Sequence, residues 1–200
     1  MSFSVENKLT QNDDRFDYQD LISIFNSNFE NSENTRLVKG GDEPIYLPKD
    51  DDHRHHRIIF ARGFYASALH EISHWLVAGP ARRLLEDFGY WYCPDGRDKE
   101  KQLEFEAVEV QPQAIEWALC LACGFKFNVS SDNLNGWQSD RFAFQDKVYA
   151  RLCELISKGF NPRTKQLLSA LQEFYGTDAI TVETIAYQPT TIDKKVVHEV

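Results

Sequence analysis

Hydrophobic residues in "FDYQDLISIFNSNF" recur at helical spacing, so Phe16, Leu21, Ile24, Phe25 and Phe29 fall on one face of an amphipathic helix. "RLVKG" and "PIYLP" read as short strands around a Gly-Gly turn at Gly40 and Gly41. "KDDDHRHHR" (49–57) is charged and loop-like, and the β-branched, aromatic "IIFARG" predicts a strand over 58–62. Good helix formers run through "FYASALHEISHWLVAG", with Gly79 and Pro80 as the stop. "FGYWY" predicts a further strand, followed by a Pro-Asp-Gly turn. "KEKQLEFEAVEV" predicts a helix. Pro112 disfavours helical geometry at Gln111, so that helix breaks or kinks and restarts as the mostly buried "PQAIEWALCLACG". "KFNVSSDNLNG" reads as strand or loop, and "DRFAFQDKVYARLCELISKG" and "RTKQLLSALQEFYG" as amphipathic helices closed by glycine. The pattern predicts an α+β fold. A single helix-rich domain over 16–176 carries a small mixed sheet, with the "ALHEISHW" helix against it, a flexible N-terminus (1–15) and a C-terminal tail (177–200).

Composition narrows the class. The hydrophobic fraction is 42% and the aromatic fraction 13%, which suits a folded core rather than a disordered chain. The longest apolar runs, such as "AIEWALCLACGF", fall short of a membrane span. The start, "MSFSVENKLTQNDD", lacks a basic segment followed by an apolar one, so a cytoplasmic protein with no membrane partner is expected. A formal net charge of −9 argues against direct nucleic-acid binding, which needs a basic face. Cys120 and Cys123 form a CxxC inside an apolar helical stretch, with no second pair to complete a zinc clasp. They are expected to be buried, reduced thiols.

The chemistry concentrates in "ALHEISHW" (68–75). His70 and His74 stand one helical turn apart and present two imidazoles to one point, as a metal ion needs. Glu71 lies beside them, rotated by about 100°. The extended metalloprotease pattern fails, because Val77 and Pro80 stand where its glycine and third histidine belong. A third ligand must come from elsewhere, and "EFEAVEVQPQAIEW" offers Glu104, Glu106, Glu109 and Glu116. Glu109 precedes the break at Pro112 in an otherwise apolar segment, where a carboxylate is costly unless paired or ligated; Gln113 and Glu116 continue its polar stripe. Glu109 is the expected ligand and Glu106 the second choice. His53, His55 and His56 are rivals in a loop whose acids and arginine suit a solvated segment. Two histidines and a carboxylate fit zinc hydrolysis with Glu71 as general base, and equally a non-haem iron centre. The spacing does not separate them, and a non-enzymatic binding module with structural histidines stands as a third class.

Longer strings add a resemblance. "LISIFNSNF", "TRLVKGGDEPIYLP", "RIIFARGFYASALHEISHW", "AGPARRLLEDFGYWYCPDGRD", "FEAVEVQPQA" and "CGFKFNVSSDNL" closely resemble the elongation factor P hydroxylase family over roughly residues 20–135. The resemblance implies a metal-dependent protein-lysine hydroxylase, a monooxygenase acting on the β-lysylated lysine of translation elongation factor P. It also implies a 2-His-1-carboxylate Fe(II) centre with O2 as co-substrate, and zinc as a possible substitute. His70 and His74 match the two histidines, and Glu109 matches the carboxylate. Glu71 is then expected to orient a ligand or move protons rather than act as a hydrolytic base. An ammonium-bearing substrate calls for aromatic and acidic residues near the mouth. Tyr90, Trp91, Tyr92, Asp95 and Asp98, with Asp42, Glu43 and Tyr46, are the candidates.

Overall fold

A computed structural model describes residues 15–89 and 95–190. The described elements are α1 (Tyr18–Phe29), β1 (Thr35–Lys39), β2 (Ile45–Leu47), β3 (His56–Phe60), α2 (Tyr65–Val77), α3 (Lys99–Cys123), α4 (Arg141–Lys158) and α5 (Pro162–Tyr175), with short 3-10 turns between and after them. The architecture is α+β, as the pattern implied. Among the described residues, no helix is long and apolar enough to cross a membrane.

The strands form one sheet in the order β1-β3-β2, with β3 parallel to β1 and antiparallel to β2. Thus β1 and β2 are not partners across the Gly-Gly segment; β3 is inserted between them. Gly40 is needed for a different reason than a tight turn. A Cβ there would stand 2.4 Å from Ile59 Cγ2, while the Gly40 amide donates to the Phe60 carbonyl at 2.9 Å. The third strand also starts earlier than the apolar run suggested, at His56, because backbone pairing extends past the hydrophobic positions.

α1 begins at Asp17, whose carboxylate accepts from the Gln19 amide at 2.8 Å, and buries Leu21, Phe25 and Phe29 on one face. Phe25 and Phe29 pack around Trp75 of α2, with ring centroids 5.1 and 5.0 Å away. α2 lies between β3 and α3 and buries Ala68, Leu69, Ile72, Trp75 and Leu76. Its last carbonyls are capped from α5. Asn161 donates to Leu76 at 3.1 Å, and Arg163 donates to Trp75 at 3.1 Å and to Ala78 at 2.8 Å. Asn161 also caps α5 by accepting from the Thr164 amide at 3.0 Å, so one residue fixes the start of α5 and the end of α2 together.

Two expectations are corrected here. α3 does not stop at Gln111; it runs unbroken from Lys99 to Cys123 with Pro112 inside. Proline removes one helical hydrogen bond at a cost of about 3 kcal/mol. Burial of Glu109 and of all but one residue from Pro112 to Cys123, against α2, α4 and α5, offsets that cost. Nor is the start of "FGYWY" a strand. Asp87 and Phe88 adopt left-handed backbone (φ 44° and 59°), curling the chain so that the Asp87 carboxylate accepts from the Tyr46 amide at 2.8 Å. The Phe88 ring then stacks on Tyr46 at 4.2 Å.

The segment 126–136, strand or loop in the sequence, carries no strand and is tied to α3 by side chains. Gln113 both accepts from the Ser130 amide (3.1 Å) and donates to its carbonyl (2.7 Å). Residues of the expected tail also pack. Ile185 is buried, Tyr187 sets its ring 5.3 Å from Trp117, and its hydroxyl donates to Asp146 at 2.6 Å. Cys120 and Cys123 are free and buried, and Tyr65 donates to the Cys123 sulfur at 3.2 Å.

Candidate metal centre

α2 and α3 run antiparallel across the site, so His70 meets Glu116 while His74, one turn further on, meets Glu109, two turns back. His74 Nε2 stands 3.2 Å from His70 Nε2 and 3.3 Å from Glu109 Oε1. His70 Nε2 is 3.9 Å from Glu109 Oε2. One ligand atom from each of these residues lies within 4.8 Å of the others. Ligand atoms at about 2.1 Å from a shared ion are themselves roughly 3.0–3.5 Å apart, so this spacing accommodates one cation with little adjustment. The donor set, two imidazole nitrogens and one carboxylate, suits Fe(II) or zinc and is poor in the oxygens that calcium or magnesium requires.

The hydrogen-bond partners fix which nitrogen faces the ion position. His70 Nδ1 donates to Glu116 Oε2 at 2.8 Å, leaving Nε2 as the lone-pair donor. Gln113 Nε2 approaches Glu109 Oε2 at 3.3 Å while held by the Ser130 backbone. Glu109, Gln113 and Glu116 thus form one buried stripe on α3, at successive turns. The stripe was visible in the sequence. The role of Glu116, orienting a histidine rather than holding an ion, was not, because spacing does not show what faces a side chain.

Charge completes the picture. Burial disfavours the His70 cation, but the Glu116 carboxylate outweighs it, with help from Glu71 and Glu109, and holds the imidazole up at about 10. Burial works against the Glu109 carboxylate too. Charge and hydrogen bonding from His74, then His70, with Gln113, bring it down to about 2. Burial pushes Glu71 upward, with the two histidines pulling the other way. Without an ion, the His70 imidazole carries a proton that balances the facing carboxylates; a divalent cation does the same work when that proton leaves.

The other expected residues are dispersed. Glu106 is buried one turn before Glu109 and accepts from Gln102 at 3.2 Å, apart from the cluster. His53 pairs with Asp50 at 2.8 Å, His55 lies 3.5 Å from Glu30, and His56 accepts from the Lys49 amide at 3.1 Å, so the loop histidines serve local structure. Tyr46 is 1% exposed, stacked on Phe88 and donating to the Arg83 carbonyl at 2.8 Å, which places it in the core beside the Glu86–Gly89 turn rather than with the histidines. Asp42 pairs with Arg62 at 2.9 Å on the surface. Asp95 accepts from Asn135 and Gly96 amides, which hold its carboxyl below the usual range. Asp98 caps α3 through the Lys101 amide at 3.0 Å. Tyr90, Trp91 and Tyr92 lie outside the described residues.

Comparison with known proteins bears on the same residues. The model of the elongation factor P hydroxylase family matches residues 24–185, which include α2, α3 and the whole His70–His74–Glu109 cluster. The chain belongs to the elongation factor P hydroxylase family. A curated relative from Haemophilus influenzae, elongation factor P lysine hydroxylase, is 57% identical over 160 residues, spanning 80% of this chain and 90% of that protein. As a member of this family the protein is a hydroxylase, and the zinc-hydrolase alternative finds no support in the kinship.

Proposed function

We propose that the protein hydroxylates the β-lysylated lysine of elongation factor P at a non-haem Fe(II) centre held by His70, His74 and Glu109, with O2 as co-substrate. The observation that carries this reading is the convergence of those three side chains in a chain 57% identical to an elongation factor P lysine hydroxylase. Three ligands on one face leave positions for other groups, as the facial arrangement of iron oxygenases does. Bound there, Fe(II) supplies the activation of O2 that inserting oxygen into a C–H bond requires.

The chain supplies the rest. Glu116 keeps His70 in the tautomer that offers Nε2. Gln113, pinned by Ser130, restrains Glu109. Glu71 lies close enough to both histidines to feel their charge, and burial favours its protonated form, so it can hold a proton beside the reacting centre and release it. Packing of α2 against Phe25 and Phe29 keeps the two imidazoles in register.

The test is mass spectrometry of β-lysylated elongation factor P after incubation with the protein, Fe(II) and isotopically labelled O2. One labelled oxygen on the modified lysine is expected. Unchanged substrate with a fully iron-loaded protein refutes the reading, as does label arriving from water.

A further inference from the structure

Four buried polar side chains, Arg97, Gln102, Gln113 and Asn133, are spent on one short stretch of backbone, 130–133. Gln113 holds Ser130 through both its amide and its carbonyl. Gln102 donates to the Ser131 carbonyl at 3.0 Å. Arg97 donates to the same carbonyl at 3.1 Å and also to that of Asp132. Asn133 accepts from the Gly96 and Arg97 amides, each at 2.9 Å, and donates to the Arg97 and Trp137 carbonyls, each at 3.0 Å. A satisfied network of this kind fixes a segment in one conformation. It holds Asp132 in left-handed backbone (φ 44°), which a residue with a side chain keeps where its surroundings impose it.

The stretch lies beside the metal cluster. Gln113 links Ser130 to Glu109, and two residues further on the Asp132 carboxylate is close enough to His70 and Glu109 to feel their charges. It is not a member of the ligand group. Among the described residues, no hydrogen bond or ion pair reaches this carboxylate, whereas solvent does, so a ligand can. Burial pushes its carboxyl up against the pull of Arg97. The aspartates expected near the mouth are occupied instead, Asp95 by Asn135 and Gly96, and Asp98 by the Lys101 amide.

Charge favours a cation at this point. Glu109 and Glu116 together offset the two charges of a divalent ion. Arg97 is linked through Gln102 to the buried Glu106 carboxylate, by bonds of 2.9 and 3.2 Å, which offsets its own charge. The negative charge of Asp132 is therefore available to a cation from outside. We propose that Asp132 is a substrate-contacting specificity residue, whose carboxylate binds an ammonium group of the modified lysine side chain and so fixes how far that chain enters toward the centre. Clamping of 130–133 lowers the ordering cost of the contact. This inference deepens the proposed function and rests on it for the identity of the substrate.

The experiment reads binding before turnover. Co(II)-loaded protein is titrated by calorimetry with β-lysylated elongation factor P, and with an elongation factor P variant whose modified lysine is replaced by alanine. Wild type is expected to prefer the lysylated form. Asp132→Asn keeps the shape and suits the left-handed backbone. It should weaken the lysylated form by about tenfold or more, and leave the alanine form, Co(II) affinity and Tm unchanged. No preference in the wild type, equal losses for the two forms, unchanged affinity in Asp132→Asn, or weakened Co(II) binding overturns the proposal. Hydroxylation by the iron-loaded wild type with KM unmoved in Asp132→Asn also overturns it, while leaving the hydroxylase reading intact. A preference for the lysylated form that Asp132→Asn abolishes, with no oxygen entering the substrate, upholds the role of Asp132 and defeats the hydroxylase reading.

Discussion

Glu116→Gln isolates the orienting role assigned to Glu116. In the wild type, its carboxylate accepts from His70 Nδ1 at 2.8 Å, with the Glu116 side chain 11% exposed and the His70 side chain 30% exposed. Glutamine keeps the shape and can still accept from Nδ1 but carries no charge, so the charge-assisted bond becomes a neutral one of about half the strength. Loss of an outer partner to a ligand histidine typically weakens metal binding 10- to 100-fold, about 1.4–2.7 kcal/mol. The lower figure is expected here, since the hydrogen bond is retained. Glu116 is the main attraction holding His70 up at about 10, so that value must also fall. The ion then displaces fewer protons near neutral pH. Calorimetric titration with Co(II) in buffers of different ionisation enthalpy reads both quantities at once. The expectation is roughly tenfold weaker affinity with reduced proton release. Unchanged affinity and unchanged proton release would refute the assignment.

His74→Ala removes one ligand of three; stoichiometric Co(II) binding and product formation should be lost while circular dichroism is retained. In the metal-free protein, protonated His70 contributes stability that is full below about 6.5 and is lost as pH rises through about 10, because its folded value is raised. Glu109 contributes in the opposite sense, above about 4.5, and its contribution is lost as pH falls toward about 2. Urea midpoints of the metal-free protein should therefore drop between neutral pH and pH 10, and the metal-loaded protein should drop less; equal slopes would contradict the proton-for-ion exchange. Glu71→Gln should leave Co(II) affinity within about threefold and lower kcat by about 10²-fold or more if Glu71 handles a proton. Phe25→Ala should cost about 3–5 kcal/mol by urea denaturation, since the ring is fully buried against Trp75.

Periodicity and residue chemistry determined much of this protein. The spacing of Leu21, Phe25 and Phe29, the glycine stops at Gly124 and Gly176, and the pairing of His70 with His74 are local properties, set by helix geometry within a few turns. Glu109 was legible because an isolated carboxylate in an apolar helix demands a partner. Tertiary structure decided the rest. Pro112 stays inside α3 because burial on several sides outweighs one missing hydrogen bond. β3 enters between β1 and β2, a choice made by side chains far apart in sequence. Tyr46 turned inward because Asp87 and Phe88 curl beneath it. Glu116 acquired its role only when antiparallel packing laid it against His70, 46 positions away. A side chain's residue type fixes what it can donate or accept. Which group stands opposite depends on chain segments whose contacts no local pattern records, because the burial energy that brings them together is non-directional and summed over the whole core.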